Sequence, residues 1–421
     1  MGATSRKPLP QPDPSETLYA SRVRVYPRAV HGTLRRAKWA VLIACLGVYY
    51  ILPWLRWHRG PGAPDQAILL DIYNERFYFF DLVLWPQDIY FLAGALIIGA
   101  VALFLVTSLF GRVWCGFTCP QTVWTDLFML VERRIEGDRN ERMRRDAQPA
   151  TLDTLWRKAA KHAAWLGIAF WTGGAWIMYY VDAPTAVREF WTGTASREIY
   201  VFTFLFTATT YVLAGWAREQ VCTYMCPWPR FQSAMLDEQT FVITYEGWRG
   251  EPRGHGKRDA TTAGLGDCID CRACVNVCPT GIDIRDGIQL ECIGCGLCID
   301  ACNDVMQRTG GTPWLITWDT LARQSARKRG EAPPLRLLRP RTLIYAAALL
   351  VACGAMVAGL ALRSHTAIHV LHDRAPLFVR LQGGSIRNGY TVKIDNKTPR
   401  PATFTLTVEG LPGATMTLPE M

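Results

Sequence analysis

Five apolar stretches, each close to the ~20 residues needed to cross a hydrocarbon core of roughly 30 Å, dominate the sequence. They run about Trp39 to Leu55, Ile89 to Phe110, Ala163 to Val181, Ile199 to Ala217 and Thr342 to Leu362. With 50% hydrophobic residues in a chain of 421, an ordinary soluble domain is excluded. The disordered, collagen-like and small disulfide-rich classes are excluded too, because charge is moderate, glycine is aperiodic and the chain is long. The first stretch is the shortest and carries Pro53, but Arg35, Arg36 and Lys38 anchor it. No small-residue cleavage site follows, so it reads as a retained helix rather than a signal peptide.

Basic residues set the orientation. Eight Lys/Arg lie between Arg6 and Lys38, and the loop between the second and third stretches carries Arg133, Arg134, Arg139, Arg142, Arg144, Arg145, Arg157 and Lys158. Both segments are expected in the cytoplasm. The outward loops carry Arg56, Arg59 and Arg76, and then Arg188 and Arg197. The excess of 46 − 36 = 10 positive charges is therefore a topology signal, with no nucleic-acid partner implied. Parity makes the Cys-rich segment after the fourth stretch cytoplasmic and places everything beyond Leu362 outside.

The predicted fold class is a polytopic α-helical membrane protein with five transmembrane helices, a cytoplasmic two-cluster ferredoxin-like α+β domain and a C-terminal β domain. The units are a cytoplasmic arm over 1–38, helices one to four over 39–229, the cluster domain over 230–340, the fifth helix over 341–363 and the outer β domain over 364–421. The first 30 residues are Pro-rich and polar, which predicts disorder. Phe77 to Trp85 is aromatic, broken by Asp81 and stopped by Pro86, and predicts an interfacial segment on the outer face. Alternation in Tyr390 to Ile394 and Thr403 to Val408, with turn residues Asp395, Asn396 and Gly410 to Gly413, predicts antiparallel strands. These are too few for a sandwich of about seven, so the sheet is expected to be incomplete or finished by a partner.

Cys268, Cys271, Cys274 and Cys278-Pro279 form C-x2-C-x2-C-x3-C-P, and Cys292, Cys295, Cys298 and Cys302 repeat the spacing 24 residues later. In bacterial two-cluster ferredoxins, three thiolates of such a run hold one cluster and the fourth ligates the other. Cys268, Cys271, Cys274 and Cys302 are thus assigned to one 4Fe-4S cluster, and Cys292, Cys295, Cys298 and Cys278 to the second. Small neighbours such as Ala273, Gly294 and Gly296 would let backbone amides approach the sulfides. Zinc pairs two C-x2-C knuckles instead of two triplets with a remote fourth Cys, and disulfides do not suit a reducing cytoplasm. Asn303 stands where the second run often has Pro, which affects the turn and not the ligation. Two adjacent clusters act as a wire for single electrons. No G-x-G-x-x-G or P-loop pattern occurs, so a nicotinamide donor must work through another protein.

Cys115-Gly-Phe-Thr-Cys119-Pro120 follows the second stretch, and Cys222-Thr-Tyr-Met-Cys226-Pro227 follows the fourth. The constant offset of 107 residues between them suggests a duplicated helical hairpin. At i and i+4, the thiols of each pair are expected on one helical face, and each Pro suits the first turn of a new helix, such as Pro120 to Val131. Four soft thiolates meeting at the cytoplasmic membrane surface could bind Cu(I), hold another iron-sulfur centre or cycle between dithiol and disulfide. Mere helix packing suits the lone Cys45 and Cys353, and fails for two matched pairs at one membrane face. Met225 could add a thioether to a copper site, though packing is the simpler role. His365, His369 and His372, at i, i+4 and i+7, could form a metal face on the outer side, but no carboxylate partner is evident. His162 reads as interfacial.

Together, Arg112-Val-Trp-Cys115-Gly-Phe-Thr-Cys119-Pro-Gln-Thr-Val-Trp, Arg218-Glu-Gln-Val-Cys222-Thr-Tyr-Met-Cys226-Pro, Asp267-Cys-Ile-Asp-Cys to Cys278-Pro-Thr-Gly-Ile-Asp-Ile-Arg, and Glu291-Cys-Ile-Gly-Cys to Ala301-Cys, with Gly384-Ser-Ile-Arg-Asn-Gly-Tyr-Thr after the last helix, closely resemble the CcoG (FixG, RdxA) cytochrome c oxidase accessory proteins. The resemblance runs from about Tyr19 to the end. It implies a bacterial inner-membrane redox protein that serves assembly of the cbb-type haem-copper oxidase by reducing Cu(II) to Cu(I). It also implies an immunoglobulin-like periplasmic domain, longer in the family than the tail present here. The partners implied are oxidase assembly factors or copper carriers, membrane lipid and an unidentified electron donor. A metal-reductase role would centre on Cys115, Cys119, Cys222 and Cys226.

Two other functions share these motifs. A quinol-linked electron-transfer subunit feeding a periplasmic reductase would have reducible clusters indifferent to copper. A copper-binding scaffold would hold Cu(I) without any redox change of its clusters.

Overall fold

The computed structural model describes residues 24–60, 62–255, 264–332, 335–364, 366–397 and 402–418. Most of the N-terminal arm predicted to be disordered, and His365, lie outside the described residues. Among the described residues, four helices are long and apolar enough to cross a membrane: Thr33–Trp54, Pro86–Phe110, Arg197–Ala217 and Pro340–Ala361. They coincide with the first, second, fourth and fifth apolar stretches.

The third stretch falls in a helix of 26 residues, Leu152–Ile177, which is not among those four. Lys161, His162 and a run rich in Trp and Gly dilute its apolar character. It packs lengthwise on the Arg197–Thr210 helix. A Cβ at Gly173 would lie 2.7 Å from the Thr203 carbonyl oxygen, so glycine permits that close approach. The Pro340–Ala361 helix packs against Ile89–Phe110 in the same manner, with Gly94 facing Met356 and Gly359 facing Phe91.

Phe77 to Trp85, expected as an interfacial segment, is built from paired strands. Arg76–Phe79 and Leu82–Leu84 pair as antiparallel strands, and Ile68–Asp71 completes a three-stranded meander. The cause is local: Tyr78 and Leu84 point inward along alternating strands, and Phe80, with φ at 51°, makes the turn. The Leu70 amide donates to the Tyr179 carbonyl at 2.7 Å, which anchors this sheet to the end of the Leu152–Ile177 helix.

Between the fourth and last apolar helices, strands Val242–Tyr245 and Ile316–Asp319 pair antiparallel. Helices Ala273–Val277 and Leu297–Thr309 pack beside them. Ile243, Ile284, Ile299, Met306, Leu315 and Ile316 form their apolar core together with Cys268 and Cys274. The segment leading into the first helix straps this unit to the membrane helices. The Arg28 amide donates to the Asn276 carbonyl at 2.7 Å, and the Asp300 carboxylate accepts from the Arg35 amide at 2.7 Å.

At the C-terminal end, Thr366–His372 pairs with Tyr390–Asn396, and Val379–Arg380 with Ile386–Arg387. The predicted strand at Thr403 to Val408 is not formed. No described strand lies beside it to satisfy its backbone groups. His369 and His372 stand three apart on a strand and so point to opposite faces, which removes the helical metal face expected from their spacing. Lys397 Nζ lies 2.9 Å from Asp88 Oδ1, tying this unit to the start of the second apolar helix.

Candidate functional site

The two C-x3-C-P segments share a backbone plan. Four residues before each first cysteine, Gly111 and Arg218 take left-handed φ values of 64° and 45°. Short turns follow, Val113–Phe117 and the π-helical Val221–Met225. Cys119 and Cys226 are then extended, with ψ at 128° and 122°, as residues before proline must be. The second thiol of each pair therefore leaves the helix, which corrects the expectation of one shared helical face. As expected, Pro120 opens a new helix, Pro120–Glu136, and Pro227 caps Trp228–Met235. Gln121 joins the halves by donating from Nε2 to the carbonyls of Leu213 at 2.8 Å and Arg218 at 3.1 Å.

Cys115, Cys119, Cys222 and Cys226 line one cavity of about 230 Å³, whose walls include Trp114, Trp228 and Arg112. The Cys115 thiol donates to Gln232 Oε1 at 3.2 Å, and the fully buried Gln232 donates in turn to Thr107 Oγ1 at 3.3 Å. Burial pushes the Cys115 and Cys222 thiols up to about 12, helped by the neighbouring sulfurs. Cys119, raised by burial, is partly compensated by the amides of Gln121 and Thr122 at the helix N-terminus. Cys226 is exposed. Met225 is exposed as well and does not line the cavity. His162 accepts or donates a 2.9 Å hydrogen bond with the Tyr211 hydroxyl and stacks on Trp216.

The eight ferredoxin-type cysteines stand around two further gaps, each of about 20 Å³. Cys268, Cys271, Cys274 and Cys302 line the first, with Tyr245, Leu315 and Ile316. Cys278, Cys292, Cys295 and Cys298 line the second, with Ile243, Ile284 and Leu297. Cys302 therefore sits with the first run and Cys278 with the second. Burial raises Cys274 to about 11 and Cys292 and Cys302 to about 12. Among the described residues, no three Cys, His, Asp or Glu side chains converge on a single-ion site. Thiols ringed around an apolar gap suit a multi-iron group better than zinc.

The cavities form a series. Cys274 lines both the first and second gaps, and Cys292 lines both the second gap and the four-thiol cavity. Backbones meet at the second junction: a Cβ at Gly294, whose φ is 70°, would lie 3.1 Å from the Arg112 carbonyl. Gly296 similarly faces Leu34. These glycines thus make room for the membrane segments, a role beyond the expected access of amides to sulfide. Sequence reasoning passes over Arg112, Gln232 and Gly116. Arg112 stands inside a quoted motif without a role, and nothing in the sequence marks Gln232.

A 4Fe-4S dicluster domain family matches residues 217–321, and a 4Fe-4S binding domain family matches 92–136. The immunoglobulin-like fold at the C-terminus of FixG, described as a putative oxidoreductase, matches 356–420. The nitrogen fixation protein FixG of Rhizobium meliloti is 49% identical over 95% of this chain and 82% of its own length. RdxA of Cereibacter sphaeroides is 50% identical over 95% and 85%. RdxB of the same organism is 48% identical over 96% and 88%. No solved structure matches.

Proposed function

The chain belongs to the FixG/RdxA (CcoG) family of membrane iron-sulfur electron-transfer proteins, and on that premise we propose that it reduces Cu(II) to Cu(I) at the four-thiol cavity, for assembly of a cbb-type cytochrome c oxidase. The supporting observation is the run of three thiol-lined cavities joined through Cys274 and Cys292. Cys268, Cys271, Cys274 and Cys302 hold one 4Fe-4S cluster, and Cys278, Cys292, Cys295 and Cys298 the other. The pair supplies one-electron steps when bound.

The chain's own residues do the rest. Cys226, at the surface, meets an incoming copper ion first, and Cys119, Cys115 and Cys222 draw it inward. Each Cu(II) takes up one electron, supplied by a separate donor, and leaves as Cu(I), the form that soft sulfur ligands favour. Trp114 and Trp228 keep bulk water from the sulfurs.

The protein sits in the bacterial inner membrane with its N-terminus cytoplasmic and its C-terminal β unit periplasmic. Leu152–Ile177 supplies the fifth crossing, since it packs against the Arg197–Thr210 helix and parity requires it. The cluster domain then faces the cytoplasm, where a reduced donor is available, and copper carriers and oxidase assembly factors receive the product.

Single Cys→Ser variants at 115, 119, 222 and 226 test this. They should slow reoxidation of the reduced clusters by Cu(II) while leaving the cluster spectrum intact. Unchanged rates in all four would remove these thiols from the mechanism. Reduction by quinol with no response to copper would favour the quinol-linked alternative, and stoichiometric Cu(I) binding without cluster oxidation the scaffold.

A further inference from the structure

We propose that Arg112 is a positioning residue for electron transfer: it clamps the loop of the second cluster against the four-thiol cavity, and its buried positive charge makes that cluster the resting place of the electron. The proposal rests on the order of electron flow given above.

Arg112 is 8% exposed. Its guanidinium donates to the Leu290 carbonyl, to the Cys292 carbonyl at 3.2 Å and to the Pro229 carbonyl at 2.8 Å. One side chain thus gathers the turn carrying Cys115, the turn following Cys226 and the loop carrying Cys292. All three acceptors are neutral carbonyls. Other buried cations of this region are by contrast ion-paired: Lys38 and Arg35 with Asp126, and Arg218 with Glu132. The Arg112 charge stands with Cys115 and Cys292 in the wall of the four-thiol cavity and so acts on the sulfurs around it. Glu291 is the acidic group that faces it.

The duplication supplies a control within the chain. The residue 107 positions on, in the same place after a left-handed residue, is Glu219. The turn therefore accepts either sign of charge, so the backbone does not dictate an arginine. The positive residue is the one that meets the cluster loop. Cluster potentials follow local charge, hydrogen bonding and solvent access. A buried cation whose hydrogen bonds all go to neutral carbonyls stabilises the reduced form most at the nearer cluster.

The test is a redox titration of the full-length protein with both clusters bound, followed by electron paramagnetic resonance, on wild type, Arg112→Gln and Arg112→Lys. Arg112→Gln should lower the reduction equilibrium of one cluster by about tenfold, or about 59 mV for one electron. Signal shape and iron content should stay as in wild type. Arg112→Lys, which keeps the charge and loses the planar fork, should restore most of the shift. The affected cluster should be the one that survives in Cys302→Ser. An unshifted potential in Arg112→Gln, an equal shift of both clusters, or a Lys variant identical to Gln overturns the proposal. No copper enters the titration, so a wild-type protein unable to reduce Cu(II) would sink the copper reading without touching this result.

Discussion

A Cβ at Gly116 would lie 2.9 Å from both the Cα and the amide nitrogen of Cys295. The first C-x3-C-P turn and the second ferredoxin run are thus in backbone contact, and no side-chain rotation can relieve an added methyl. Gly116→Ala should displace the Cys295 loop and cost the second cluster, so that iron and labile sulfide fall by roughly half. Full iron content with a wild-type spectrum would show that the contact can yield.

Cys302 lines the gap of Cys268, Cys271 and Cys274, although it belongs to the later run. Cys302→Ser should therefore weaken or remove the first cluster and leave the second. Paramagnetic resonance of the reduced variant distinguishes the two. Loss of the second cluster alone would contradict the exchange of fourth ligands between runs.

Copper binding should depend steeply on pH. Burial holds Cys115 and Cys222 up to about 12, so at neutral pH both thiols are protonated and metal must displace their protons. The sign is fixed: affinity rises with pH until the thiol pKa is passed. If both thiols bind, Cu(I) affinity rises by up to about a hundredfold per pH unit, measured by competition with a Cu(I) chelator between about pH 6.5 and 8.5 on the protein with intact clusters. An affinity flat across that range would mean that these thiols do not bind as thiolates.

Much of this arrangement is legible in the sequence, and the rest is not, for physical reasons. The two ferredoxin runs are legible because ligand spacing is imposed by the cluster. The four strongest apolar helices are legible because lipid selects continuous apolarity. The Leu152–Ile177 helix gives a weaker signal because Lys161, His162 and its Trp and Gly residues dilute its apolar character. The offset of 107 residues announces the duplication, and the matching backbones at Gly111 and Arg218 agree with it. Arg112, Gln232 and Gly116 carry no such signal. Their roles depend on which distant segments meet, and local periodicity cannot report that. The strands at the two ends mislead in opposite directions. The aromatic run Phe77 to Trp85 does not announce its strand pairing, while Thr403 to Val408 alternates without a described partner to pair with.

The most direct measurement is an anaerobic titration of the fully reduced protein with Cu(II), followed by the paramagnetic signal of the reduced clusters. Electron transfer to copper predicts that the signal disappears in proportion to added copper, with about one electron lost per Cu(II) and about two equivalents consumed by two clusters. A signal that persists in the presence of excess Cu(II), with the clusters chemically intact, would contradict copper reduction by this protein.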